Sequence, residues 1–125
     1  MSVAAPEKVL SLHDRVLDAS VWTYRVSGLE TWTREQTHGW AIGTQPFDLI
    51  IPKLRRVEEV ETADSLAAIN LQRLAECQRS GLDVWVLVPL KEVGRAQDRL
   101  RGVAGHVQAW WVEKDRVLFG EPRLL

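Results

Sequence analysis

The chain has a single cysteine, Cys77, so it forms no internal disulfide and carries none of the cysteine-rich zinc patterns. It also lacks an excess of positive charge: 16 lysines and arginines stand against 17 aspartates and glutamates. That balance excludes the broad basic field of a protein that coats nucleic acid and leaves room only for local contacts. No stretch approaches the roughly 18 apolar residues of a membrane span, and the opening MSVAAPEKVLSLHDRV has no basic segment ahead of an apolar one. The expectation is a soluble cytoplasmic protein with no membrane partner. G-x-x-x-x-G-K-[ST], G-x-S-x-G and G-x-G-x-x-G are missing as well, which argues against the common nucleotide-binding and hydrolase classes. His13, His38 and His106 are scattered without paired ligand spacing, which argues against a zinc site.

What remains is an ordinary globular composition, 46% hydrophobic and 26% charged over 125 residues, without repeats or low-complexity tracts. It suits one domain spanning 1–125. Val9, Leu10, Leu12, Val16 and Leu17 recur at helical spacing from Pro6 to about Asp18, predicting an amphipathic first helix. Val21 to Val26 reads as a strand, Ser27-Gly28 as a turn, and Glu30 to His38 as a hairpin or loop. Trp40 to Ile42 forms a short candidate strand before Gly43, and Phe47 to Ile51 a clearer one closed by Pro52. A helix runs from Ala63, capped by Thr62, to Gly81. The continuous apolar run from Asp83 to Pro89 then predicts a strand covered on both faces, as in a parallel sheet. A helix over Glu92–Arg101, a strand over His106–Val112, a turn at Lys114-Asp115 and a strand over Val117–Phe119 complete an α/β sandwich around a mixed sheet. Trp85, Trp110 and Trp111 lie in strand-like runs and are expected in the core; Trp22, Trp32 and Trp40 are candidates to line a groove.

The segment RRVEEVETADSL, residues 55–66, concentrates three glutamates. As a strand, residues 55–62 put Arg55, Val57, Glu59 and Glu61 on one side and Arg56, Glu58, Val60 and Thr62 on the other. Val57 and Val60 then face opposite ways, so the strand is either a poorly buried edge or one that carries acids into a pocket. Glu59 and Glu61 share a face about 7 Å apart, from two rises of about 3.4 Å. Carboxylates that close repel one another unless a positive charge lies between them, and a hard divalent ion such as Mg²⁺ supplies one. Glu58 falls on the surface in this reading. The competitor is a helix opened by Pro52, with Leu54, Val57 and Val60 on one stripe, which turns the glutamates into a solvated face. The pattern alone leaves both open; the unusual length of that helix favours the strand.

The order Pro46-Phe47-Asp48, an apolar strand, Glu59-Val60-Glu61-Thr62, a helix and the run VWVLVP resembles the PD-(D/E)xK superfamily, the restriction-endonuclease-like nucleases and their relatives, Holliday-junction resolvases among them. The resemblance implies an αβββαβ core in which Asp48 matches the first acid, Glu59 the second and Glu61 the position usually held by lysine. It further implies Mg²⁺ or Mn²⁺ bound by Asp48, Glu59 and the backbone carbonyl of Val60, with Glu7 or Asp14 as an additional acid on the first helix and Gln72 facing the site. The activity implied is metal-dependent hydrolysis of phosphodiester bonds, with Glu61 as general base or second-metal ligand. The partner would be nucleic acid, DNA rather than RNA, and the protein a homodimer, because little chain remains for substrate recognition. The departure from lysine at Glu61 keeps a second possibility open, a catalytically inactive nuclease-fold module that binds nucleic acid or protein. A third is a different α/β domain with the glutamates on a helix surface. Lys91, Arg95 and Arg99, four apart on the predicted helix, form either a phosphate-tracking ridge or a solvated face. Lys53, Arg55 and Arg56 carry the same ambiguity.

Overall fold

A computed structural model describes residues 10–36 and 46–125. The helix start at Pro6, the additional acid at Glu7, Trp40, the strand at Trp40–Ile42 with its closing Gly43, and His38 all lie outside the described residues.

Helix α1, Leu12–Val26, begins at Ser11, whose side chain accepts a hydrogen bond from the Asp14 amide, and ends at Ser27 before Gly28 in the left-handed region. The strand expected at Val21–Val26 is therefore the second half of this helix. The β-branched and aromatic residues there disfavour a helix by only tenths of a kcal/mol each. Packing decides instead: Val16, Ser20 and Val21 are buried on one stripe, joined by Leu17 and Tyr24, so the apolar face continues past Asp18.

The sheet is mixed, in the order β1-β2-β3-β4-β5-β6, with β7 also paired to β5. Strand β1 (Trp32–Thr33) runs antiparallel to β2 (Leu49–Ile51), which runs antiparallel to β3 (Arg56–Val60) with Leu49 opposite Glu58. Pro52 opens only one tight turn, Pro52–Leu54, closed by Arg55 at φ 51°, so the long-helix alternative for residues 52–62 falls and β3 is a strand. Strands β3, β4 (Asp83–Pro89) and β5 (His106–Glu113) are parallel neighbours. β6 (Arg116–Phe119) returns antiparallel through a turn at Lys114 and Asp115, and β7 (Arg123–Leu124) pairs with the start of β5.

Between β3 and β4 the single helix expected from Ala63 is broken in two: α2 (Ala63–Ala67) and α3 (Leu71–Arg79). Each has its own cap, Thr62 with Ser65 for α2 and the Asn70 side chain for α3, so two N-terminal signals lie within the span of the one expected helix. Helix α4 (Val93–Leu100) joins β4 to β5.

The core has two layers. Val57, Val84, Val86, Val88 and Val107 pack beneath α2, α3 and α4, while Val60, Trp85, Leu87 and Trp110 pack beneath α1. β3 is thus covered on both faces, which explains the opposite parity of Val57 and Val60. Trp85 and Trp110 are buried and Trp111 packs partly against the first layer. Trp32 also packs there, whereas Trp22 is exposed. Among the described residues no helix is long and apolar enough to cross a membrane.

Candidate acidic site

β2 and β3 are bound together at their ends by a side chain. Asp48 sits just before β2, is 1% exposed, and its Oδ2 accepts the Val60 amide N–H at 2.8 Å. The backbone pairing of β2 with β3 runs only from Leu49 opposite Glu58 to Ile51 opposite Arg56, so the Asp48 carboxylate extends the ladder past its last backbone rung. One residue after β3, Glu61 donates its amide to the Leu87 carbonyl at 2.8 Å and so stays in line with the sheet.

Glu59 and Glu61 line one cleft of about 230 Å³, together with Ser65, Asn70 and Arg73. The cleft opens where α2 gives way to α3, so the break in the helix leaves the two acids reachable. Glu58 points the other way, as its parity requires, but it is not the surface residue expected. It is 1% exposed beneath α1, accepting hydrogen bonds from Ser20 Oγ at 2.8 Å and from the Tyr24 hydroxyl. Ser20 and Tyr24 sit on the half of α1 whose residues favour a strand, so local alternation gives no sign of the helix that buries Glu58.

Three side chains outside the expected set neutralise the acids. His13 of α1 places Nε2 3.2 Å from Asp48 Oδ2, Arg34 places Nη2 2.6 Å from Asp48 Oδ1, and Arg73 of α3 places Nη1 3.2 Å from Glu59 Oε1. The Arg73 guanidinium also lies 4.0 Å over the Phe47 ring, so the residue preceding Asp48 holds the cation that faces Glu59. Sequence spacing gives no sign of these partners, since they come from three separate elements. The hydrogen bond from His13 to Asp48 pushes the imidazole up to about 9, against the opposing effect of burial. For Asp48 burial works to raise the pKa, but hydrogen bonds from His13 and the Val60 N–H outweigh it and hold the carboxyl below its ordinary range. Burial, then repulsion from Asp48, push Glu59 up to about 8, with Arg73 opposing. Glu61 is raised by burial and by Asp48, with a hydrogen bond from Ser65 working against them.

The remaining candidates resolve differently. Asp14 lies beside the imidazole of His13, at 3.2 Å. Gln72 is exposed and donates to Glu76. Arg95 donates to the Ala63 carbonyl and pairs with Glu92, and Arg99 donates to the Ala67 carbonyl; both fasten α4 to α2. Arg56 leaves the neighbourhood altogether and lies on Trp85.

Asp48, Glu59 and Glu61 are near enough to act on one another electrostatically: burial first, and then the Asp48 charge, raises both Glu59 and Glu61. In arrangement, the protein's own cations stand at these oxygens, and among the described residues no group of three or more His, Cys, Asp or Glu side chains is arranged to hold a metal ion. The chain matches no protein-family model, no curated protein and no solved structure.

Proposed function

We propose that the chain is a restriction-endonuclease-like, metal-dependent nuclease acting on DNA, with Asp48, Glu59 and Glu61 as its acid site. The observation that carries the reading is the bond from the Val60 N–H to Asp48, which fastens the first acid to the end of the strand that bears Glu59 and leads into Glu61. The order of one helix, three antiparallel strands, a helical crossover and a parallel strand supports it, as does the cleft opening at Glu59 and Glu61.

Asp48, Glu59 and the Val60 carbonyl would hold Mg²⁺ or Mn²⁺, which when bound supplies charge stabilisation for phosphoryl oxygens and a more acidic water. Glu61, its proton affinity raised by burial, is suited to accept a proton from the attacking water. Arg73 and Arg34 supply the positive charge that a lysine at position 61 would have brought, and they position the carboxylates. A homodimer would extend the surface available to a duplex.

One observation favours a second reading. Asp48 and Glu59 already have protein cations as partners, which suits a nuclease-fold module that binds nucleic acid or protein without cutting. Calorimetry with Mg²⁺ and Mn²⁺, and cleavage of single- and double-stranded DNA with either ion, test both. Ion binding and cutting that disappear in Asp48→Asn and in Glu59→Gln support the nuclease. DNA retention unaffected by a chelator, with no cutting, favours the module, and neither ion binding nor DNA binding overturns both. Sedimentation velocity reads the dimer separately.

A further inference from the structure

The sheet face beneath α1 carries a second recess that the acid site does not use. It holds about 250 Å³ and is lined by Tyr24 of α1, Arg56, Trp85 and Gln108 of the three parallel strands, and Phe119 of β6. It lies on the side of the sheet away from the cleft of Glu59 and Arg73, since Trp85 and Phe119 belong to the layer under α1.

Three of the lining residues are aromatic, and the polar groups beside them are held in place. The Arg56 guanidinium carbon lies over the Trp85 ring, 3.8 Å from its centre. Its Nη1 donates to the Tyr24 hydroxyl at 3.0 Å, and its Nε lies 3.6 Å from Asp83 Oδ2. Asp83 is fixed in turn by the Trp85 indole N–H at 2.8 Å and by His106 at 3.0 Å, and the His106 ring packs against Trp85 at a tilt of 33° with ring centres 4.8 Å apart. Tyr24 is anchored through its hydroxyl to the buried Glu58. The walls are thus preorganised, so a ligand would not have to order them.

Arg56 and Gln108 each keep a polar function uncommitted. Among the described residues Arg56 Nη2 makes no hydrogen bond, and Gln108 gives its amide N–H to the Gly120 carbonyl while its Oε1 accepts none. The recess therefore offers a donor in Arg56 and an acceptor in Gln108 beside its aromatic side chains. Charge selects further: Arg56 is already paired with Asp83, so a free anion gains little there, and a neutral ring with its own donor and acceptor gains more. A nucleobase has that chemistry, a flat π-face with donor and acceptor on one edge. The volume suits a ring of that size rather than a larger ligand.

We propose that the recess between Tyr24, Trp85 and Phe119 is a nucleobase site, with Arg56 Nη2 donating to the base edge and Gln108 Oε1 accepting from it. It stands independently of the nuclease reading. The base comes either from a free nucleoside or from a base displaced out of a nucleic-acid strand.

Full-length protein labelled with nitrogen-15 is titrated, in the presence of a chelator, with adenosine, guanosine, cytidine and uridine, and separately with a short single-stranded DNA. Saturable movement of the Trp85 indole and Gln108 carboxamide signals is expected. Phe119→Ala and Gln108→Leu, each checked for an otherwise unchanged spectrum, should weaken binding by about tenfold. Movement with nucleosides identifies a free-ligand site; movement of the same signals with the oligonucleotide alone identifies a base presented by a strand. No movement with any probe, movement confined to other residues, or affinity unchanged in both variants overturns the proposal.

Discussion

At the scale of single residues, Glu58 is the most instructive. Its carboxylate is buried, its proton affinity is raised by that burial, and Ser20 and Tyr24 both donate to it. Glu58→Gln keeps the shape and an acceptor oxygen and should change stability little. Glu58→Ala leaves a cavity and two stranded hydroxyls and should cost about 2–4 kcal/mol in urea unfolding. Equal losses in the two variants would mean that the charge, not the packing and hydrogen bonds, matters there. The sequence separated Glu58 from Glu59 and Glu61 through the two-residue period of a strand, and β3 has that alternation. It could not say what covers each side, because burial of a strand face depends on elements distant in the chain. The same limit hid His13, Arg34 and Arg73, which reach the acids from α1, from the segment after β1 and from α3.

At the scale of elements, the central strands and α4 were legible because long apolar runs and a strong helical stripe leave few alternatives. VLVP-like continuity in β4 marked it as buried on both faces, and it is. Errors fell where intrinsic preference is weak. The segment 21–26 has strand-like residues but a helical burial stripe, and the stripe prevailed. Residues 68–70 carry Asn70, a good helix start, inside what read as one helix. That cap accepts from the Arg73 amide at 3.1 Å, and Arg73 is the residue that faces Glu59. Asn70→Ala should therefore cost about 1 kcal/mol of stability in denaturant unfolding. By loosening Arg73, which holds the Glu59 pKa down, it should raise that pKa further and should speed amide exchange from Leu71 to Arg73. Unchanged exchange there would remove the cap from the account of how Arg73 is held.

At the scale of the whole molecule, near-zero net charge makes the internal pairing of the acids the main source of pH dependence. His13 rises from 6.5 to about 9 on folding, so its contribution is complete below pH 6.5 and is lost as pH climbs through 9. Glu59 rises from 4.5 to about 8, so folding favours its protonated form, and that contribution is complete below pH 4.5 and lost by pH 8. Asp48 has the opposite sign: its contribution is present above 3.8 and is lost as pH falls through its lowered value. Thermal unfolding should accordingly give a Tm that declines from mildly acidic pH toward pH 9. Glu59→Gln should flatten the part of the decline below pH 8, and His13→Asn the part between pH 6.5 and 9. A Tm that rises over this range would contradict the pairing of these groups. The bond between Asp48 and the Val60 N–H has one more consequence. Because a side chain rather than a neighbouring strand closes that rung, the Val60 hydrogen can exchange with solvent whenever Asp48 lets go, without the sheet unfolding. One amide proton thus serves as a meter for the acid site, readable with no substrate, ion or partner added.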